Sequence, residues 1–328
     1  MSPTQTRNIG SELKNLWNEN DAAACGEDAL ALRVYSSRLI GQASDLVLHG
    51  GGNTSVKAEF SDIFDDRHEV LYIKGSGWDL ATIEAPGFAP VALDALLKLS
   101  RFDALSDADM VRAQRAAMLD PGAPNPSVEA ILHALIPFRY VDHTHADAVV
   151  TLTNTPDGEA RVREIYGDRL LVVPYVMPGF VLAKKVAQMT EDIDWSTLEG
   201  MILMNHGIFS FADDARESYT RMIDLVTEAE QALGEAPRVA NDTAEASALE
   251  LAAIRYEVSR AANCPMLVAF DGGVQSCGFA KRSDVKSIAT RGPLTPDHVI
   301  RTKRVPLIVE EDPSDAVEGF ISEYQDYF

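Results

Sequence analysis

The stretch YVDHTHADAVVTL, Tyr140–Leu152, decides how this chain is read. Its apolar and β-branched residues predict a strand. Inside it stand Asp142, His143, Thr144 and His145. Side chains two apart on a strand project from the same face, so both imidazoles point together. Paired neutral imidazoles are natural ligands for zinc or a similar divalent ion. Two histidines on a solvated strand face would have the same spacing, so the pattern needs further ligands to carry weight.

Working outward, His206 follows the apolar run MILM, Met201–Met204, and precedes Gly207, where a strand end meets a turn. A rigid strand there fixes an imidazole while the loop stays open. Three histidines with an open fourth position describe a catalytic site and not a closed structural one. Upstream, Ser127–Leu135 (SVEAILHAL) predicts a helix running toward the H-x-H strand, with Glu129 one turn in as the candidate acid/base. A first-turn carboxylate is also what a helix dipole favours with no chemistry involved. His133, four residues on, shares that helix face and reads as a supporting residue.

Two glycine turns follow strand-like runs. Leu46–Leu48 leads into Gly50-Gly51-Gly52-Asn53-Thr54-Ser55, and Glu69–Lys74 (EVLYIK) leads into Gly75-Ser76-Gly77. Such turns let backbone N–H groups approach an anion closely, although tight strand ends look the same. Ser127 at a helix start adds a third donor group. Neither G-x-G-x-x-G nor G-x-x-x-x-G-K-[ST] occurs, so nothing supports a dinucleotide or ATP domain.

Helical patterns at Asp28–Ile40, Val91–Leu99, a segment capped by Ser106, and residues 212–233 alternate with strands at Leu170–Val173 and Met201–Met204. That interleaving predicts an α/β layered fold on a mixed sheet. Residues 1–27 read as an N-terminal arm, 28–234 as the catalytic domain, 235–246 as a linker, and 247–328 as a C-terminal α/β extension with a strand at Met266–Phe270. Packing is the simplest role for the extension. A sharper one brings Asp297, His298, Arg301 and Lys303 to the mouth of the site.

With 29 basic against 50 acidic residues, the net charge of −21 excludes nucleic acid and anionic membranes as partners. No apolar run nears the ~20 residues of a membrane helix, and the opening MSPTQTRNIG lacks the apolar core of a secretion signal. The widely spaced Cys25, Cys264 and Cys277 fit a reducing cytoplasm.

In order, GGGNTSV, YIKGSG, PSVE, HTHAD and NHG resemble the class II aldolase/adducin family over residues 28–234. LVLHGGGNTSVK, LYIKGSGWDLATIE and GPLTPDHVIRTK resemble the aldolase portion of bifunctional rhamnulose-1-phosphate aldolase/alcohol dehydrogenase proteins. The resemblance implies a three-layer α/β/α sandwich with a mixed central sheet, and a homotetramer with active sites at subunit interfaces. It implies zinc held by His143, His145 and His206, and a substrate phosphate cradled by Gly52, Asn53, Ser76, Gly77 and Ser127. Glu129 becomes the proton-transfer residue, ligating zinc when substrate is absent. The implied reaction is cleavage of a ketose 1-phosphate to dihydroxyacetone phosphate and an aldehyde. Sugar-phosphate 4-epimerases with the same metal-assisted chemistry and non-catalytic adducin-like binding proteins share the family. The chain departs from the fuculose-phosphate pattern at Val128, where a serine is expected, and at Pro178, where an aromatic precedes the glycine. Val128 leaves room for a substrate without a phosphate. Tyr166 and Tyr175 are the nearest counterparts of a mechanistic tyrosine.

Overall fold

The structure is a computed structural model, and it describes residues 13–234, 243–310 and 312–327. Most of the N-terminal arm's first half and the linker positions 235–242 lie outside the described residues. The chain divides into two compact units, Met1–Glu235 with Leu294–Ile300, and Ala236–Pro293 with Arg301–Phe328.

The first unit is built on seven strands: β1 (Asn53–Ser61), β2 (Arg67–Lys74), β3 (Phe88–Ala92), β4 (Tyr140–Thr144), β5 (Leu170–Val173), β6 (Gly200–Leu203) and β7 (Gly207–Ala212). Their order across the sheet is β3-β2-β1-β4-β7-β6-β5. Every pairing is antiparallel except β5 with β6, so the sheet is mixed as expected. Helices Ala29–Gly41, Asp147–Thr153, Gly158–Tyr166 and Ala215–Leu233 enclose one apolar cluster with residues such as Ile40, Val149, Val162 and Met222. Helices Leu93–Leu99, Asp107–Ala116, Ala130–Leu135 and Phe180–Met189 enclose others around Leu96, Ile131, Phe180 and Val186. The result is the three-layer α/β/α sandwich.

Local chemistry explains the element ends. Asp28 and Ser106 cap their helices by accepting backbone N–H groups in the first turn. Leu46–Leu48, expected as a strand, is instead part of a turn. Left-handed φ values at His49, Gly50 and Gly52 follow at once and turn the chain away from extended pairing. The strand expected over Tyr140–Leu152 stops at Thr144, and Asp147–Thr153 is helix. Val91 and Ala92 end β3 and do not open the following helix.

Strand β4 is wholly buried, and alternation sends its neighbours to opposite layers. Asp142 meets Arg33 of helix Ala29–Gly41 at 2.6 Å with neither side chain solvent-exposed, and its other oxygen accepts the Ser218 hydroxyl at 2.5 Å. Arg33 also donates to Ser37. On the far layer, the Lys57 ammonium donates to the carbonyls of His133, Ile136 and Phe138, closing the C-terminal end of helix Ala130–Leu135. Burial pulls Lys57 down to about 7.

The described residues of the second unit carry helices Ala248–Ala262, Val274–Ala280, Val285–Ala289 and Pro313–Tyr327 and no strand. This corrects the expected α/β extension. Met266–Phe270 has the side chains of a strand but no neighbouring strand to take its backbone hydrogen bonds.

Removing one partner of a buried pair strands the other charge, at a cost of about 3–5 kcal/mol. Arg33→Met should therefore lower unfolding free energy by that order in urea titration. Arg33→Met combined with Asp142→Leu should recover much of the loss. A single mutant as stable as the parent would remove the pair from its structural role.

Candidate metal centre

Strand register alone brings the candidate residues to one end of the sheet. Asn53 at the start of β1 lies opposite His143, and Ser55 lies opposite Ile73, one residue before Lys74 ends β2. Thr144 at the end of β4 pairs with Ile208, and Leu203 at the end of β6 pairs with Gly207. His145 follows β4 directly, and His206 sits in the β6–β7 turn. That turn is tight because Asn205 adopts a left-handed conformation, φ 59°, with its amide held by Thr153 and Asn154. Gly207 must be glycine: a methyl there would come within 2.3 Å of the Thr144 carbonyl oxygen and 3.0 Å of the His143 ring.

His143, His145 and His206 are all buried, and one ligand atom from each lies within 4.8 Å of the others. His143 donates from Nδ1 to the Ile208 carbonyl at 3.0 Å. His145 Nδ1 faces Asp297 Oδ1 at 2.6 Å. With both Nδ1 atoms facing acceptors, the neutral form of each ring has its lone pair on Nε2, and these two atoms stand 3.2 Å apart. Two lone pairs at that separation repel unless a cation lies between them. Ligands at the ~2.0–2.1 Å of zinc–imidazole bonds in a tetrahedral site stand about 3.3 Å apart. Burial first, and then the neighbouring imidazoles, hold His143 well below the ordinary histidine range. Burial likewise lowers His206. Neutral imidazole is the form that binds a metal.

Glu129 completes the group. Its two oxygens lie 3.4 Å from His143 Nε2 and 3.5 Å from His206 Nε2. Oε1 is buried without a hydrogen-bond donor, an arrangement costly for a carboxylate unless a cation compensates it. The residues therefore fit a divalent ion. Glu129 stands at the N-cap of helix Ala130–Leu135, not one turn inside as the sequence pattern predicts, because the first turn is taken up by Ser127–Glu129. Behind it runs a directed chain. Ser55 donates to His133 Nδ1 at 2.8 Å, His133 Nε2–H donates to Asn53 Oδ1, and Asn53 Nδ2 donates to Glu129 Oε2 at 2.6 Å. His133 thus reaches Glu129 through Asn53 and not directly.

The glycine turns also gather here. Lys74 Nζ donates to the Gly50 carbonyl at 2.7 Å. Ser76 N–H donates to the Asn125 carbonyl and Ser127 N–H to the Lys74 carbonyl, on either side of an antiparallel bridge between Gly75 and Pro126. Gly52, φ +55°, packs against the His143 carbonyl, and Gly77, φ +84°, faces open space. The Asn53 side chain is already engaged by Glu129 and His133, a positioning role that sequence spacing did not reveal. Tyr166 is a core residue donating to the Leu225 carbonyl; Tyr175 is exposed. Burial, with Asp45 and Asp297 nearby, pushes Asp147 up to about 6. Of the four residues considered from the C-terminal part, Asp297 reaches the histidines, His298 pairs with Thr295, and Arg301 and Lys303 belong to the second unit.

A family model described as the class II aldolase and adducin N-terminal domain matches residues 32–233, and one for an aldolase class II second domain matches residues 245–328. The chain belongs to the class II aldolase and adducin family. It is 32% identical to the uncharacterized oxidoreductase YuxG of Bacillus subtilis over 96% of this chain and 49% of that protein. It thus spans about half the length of the curated relative it matches. The solved N-terminal class II aldolase domain of a conserved protein from Thermoplasma acidophilum is 39% identical, covering 67% of this chain and 99% of that one with a TM-score of 0.60. An L-fuculose-1-phosphate aldolase structure from Thermus thermophilus is similar at 18% identity, covering 61% and 94% with a TM-score of 0.39. Among the described residues no helix is long and apolar enough to cross a membrane.

His133, fully buried, is held well below the ordinary range by desolvation. The unfolded chain takes up that proton near pH ~6.5, so it binds more protons than the native state below that pH. Stability should consequently fall as pH drops from about 6.5, by up to ~1.4 kcal/mol per pH unit for this one group. Urea midpoints of chelator-treated protein between about pH 8 and pH 5 measure it. His133→Gln, which does not titrate, should flatten the slope.

Proposed function

We propose that the chain cleaves the C3–C4 bond of a rhamnulose-1-phosphate-like ketose 1-phosphate, releasing dihydroxyacetone phosphate and an aldehyde. The observation that carries this reading is the clustering of one nitrogen from each of three imidazoles within 4.8 Å of one another, with the Glu129 carboxylate beside His143 and His206. His143, His145 and His206 would hold zinc. Zinc bound there supplies Lewis-acid stabilisation of the negative charge that bond cleavage leaves on the triose fragment.

Glu129 moves the proton. Its Oε2 is fixed by Asn53, leaving Oε1 to deliver a proton to the carbanion carbon in cleavage and to remove it in synthesis. The Asn53–His133–Ser55 chain holds that carboxylate in one orientation, which is what proton transfer to carbon requires. Gly52, Asn53, Ser76, Gly77 and Ser127 are proposed to bind the phosphate. The exposed turn at Gly77 would offer backbone N–H groups, and Ser76 and Ser127 would add hydroxyls. A dication and these donors make a local positive site within a chain of net charge −21, with the remaining field screened beyond ~8 Å.

A homotetramer with active sites at subunit interfaces, working in the cytoplasm, completes the reading. It draws on the family resemblance and on three unpaired cysteines. The oxidoreductase in the name of the Bacillus subtilis relative has no glycine-rich dinucleotide turn to support it in this chain.

Incubating ketose 1-phosphates with the protein and assaying released dihydroxyacetone phosphate tests the proposal. EDTA should abolish release and zinc should restore it. Full activity in EDTA sinks the metal reading, and sugar interconversion without fragment release points to the epimerase. Glu129→Gln, assayed at saturating zinc, should lower turnover by about 10²–10⁴-fold. A near-parental rate would assign proton transfer elsewhere.

A further inference from the structure

Asp297 lies 152 residues beyond His145 in sequence, yet its carboxylate is 3% exposed and packed against the histidine cluster. It sits in Leu294–Ile300, a short segment inside the stretch matched by the second-domain family model that nonetheless packs with the first unit. Thr295, also buried, immediately precedes the helix Pro296–Arg301 that carries it.

Both carboxylate oxygens are committed. Oδ1 faces His145 Nδ1 at 2.6 Å, and Oδ2 accepts the Leu48 backbone N–H at 2.8 Å. A carboxylate has acceptors on both oxygens and suits two N–H donors at once. An asparagine would present an NH₂ to one of them. The approach is close enough to dictate a neighbour: a methyl on Gly51 would lie 1.7 Å from Asp297 Oδ1. The central glycine of the Gly50–Gly52 turn therefore makes room for this side chain, a requirement separate from any anion binding.

From this geometry we infer that Asp297 is a positioning residue for the metal centre: it fixes His145 as the Nδ1–H tautomer, aims Nε2 at the ion, and ties that ligand to the glycine turn. The inference rests on the proposed metal reading of the triad. A ligating histidine usually gives its second N–H to an acceptor; His143 obtains one from the Ile208 carbonyl of the adjacent strand, while His206 Nδ1 is buried with none. His145 lies past the end of β4, where no strand carbonyl accepts its proton, and Asp297 takes that place. Charge is matched as well. Three neutral imidazoles leave a dication uncompensated, and Glu129 in front with Asp297 behind supply two negative charges.

The test measures zinc binding by the full chain without substrate, using competition with a chromophoric chelator. Asp297→Asn and Asp297→Ala should weaken zinc binding by about 10–100-fold, with circular dichroism unchanged. Folded variants that bind zinc within about twofold of the parent overturn the inference. Nitrogen-15 NMR of the unmutated protein gives a second readout that needs no variant to fold. His145 should carry its proton on Nδ1, and a proton on Nε2 overturns the inference. A parent protein that takes up no zinc would defeat the proposed function, and the tautomer would then decide the Asp297 contact alone.

Discussion

Asp142 and Arg33 meet inside the first unit with no water to share their charges, and that pair fixes which way β4 faces. The strand is buried on both sides, so apolar patterning alone does not choose its orientation. A slip of one residue would turn Asp142 away from Arg33 toward the layer of His133 and Phe209, where the Lys57 ammonium is already committed to three carbonyls, and would swing His143 against Arg33. Burying an unpaired charge costs far more than losing a few packing contacts. Asp142 therefore serves the metal-ligand pattern from the opposite face. Its neighbour His143 points toward the site because Asp142 has only one acceptable direction.

Once β4 is oriented, its neighbours follow. Antiparallel pairing places Asn53 beside His143, and the tight turn at Asn205 returns His206 to the same end of the sheet. Phe209 stacks on the His143 ring at 4.1 Å between centroids, while Gly52 and Gly207 keep the backbone close enough for the imidazoles to converge. The site is assembled mainly from strand ends, which are the stiffest parts of the scaffold. Little reorganisation is left for a metal ion to impose.

Much of this was legible in the sequence, and the failures have physical causes. Period-two spacing found the H-x-H pair, although His145 sits just beyond the strand and reaches its partners from a bend. The run before Gly50 has strand-forming residues, but three left-handed residues beside it override that propensity. Met266–Phe270 fails for a different reason: a strand needs a partner, and one-dimensional pattern does not report partners. The glycine motif marks Asn53 only as a phosphate candidate, while its engagement with Glu129 and His133 depends on a register that only the folded sheet reveals. The Asp297 contact joins residues too far apart in sequence for any local periodicity to link them.

That distance has a consequence for synthesis of the chain. All three histidines and Glu129 leave the ribosome by residue 206, early enough for the sheet to pair and the imidazoles to meet. The carboxylate behind His145 emerges 91 residues later still, counting from 206 to 297. During that interval His145 stands without the carboxylate that its Nδ1 faces in the full chain. A product ending before Asp297 would carry the three histidines without the carboxylate that faces His145.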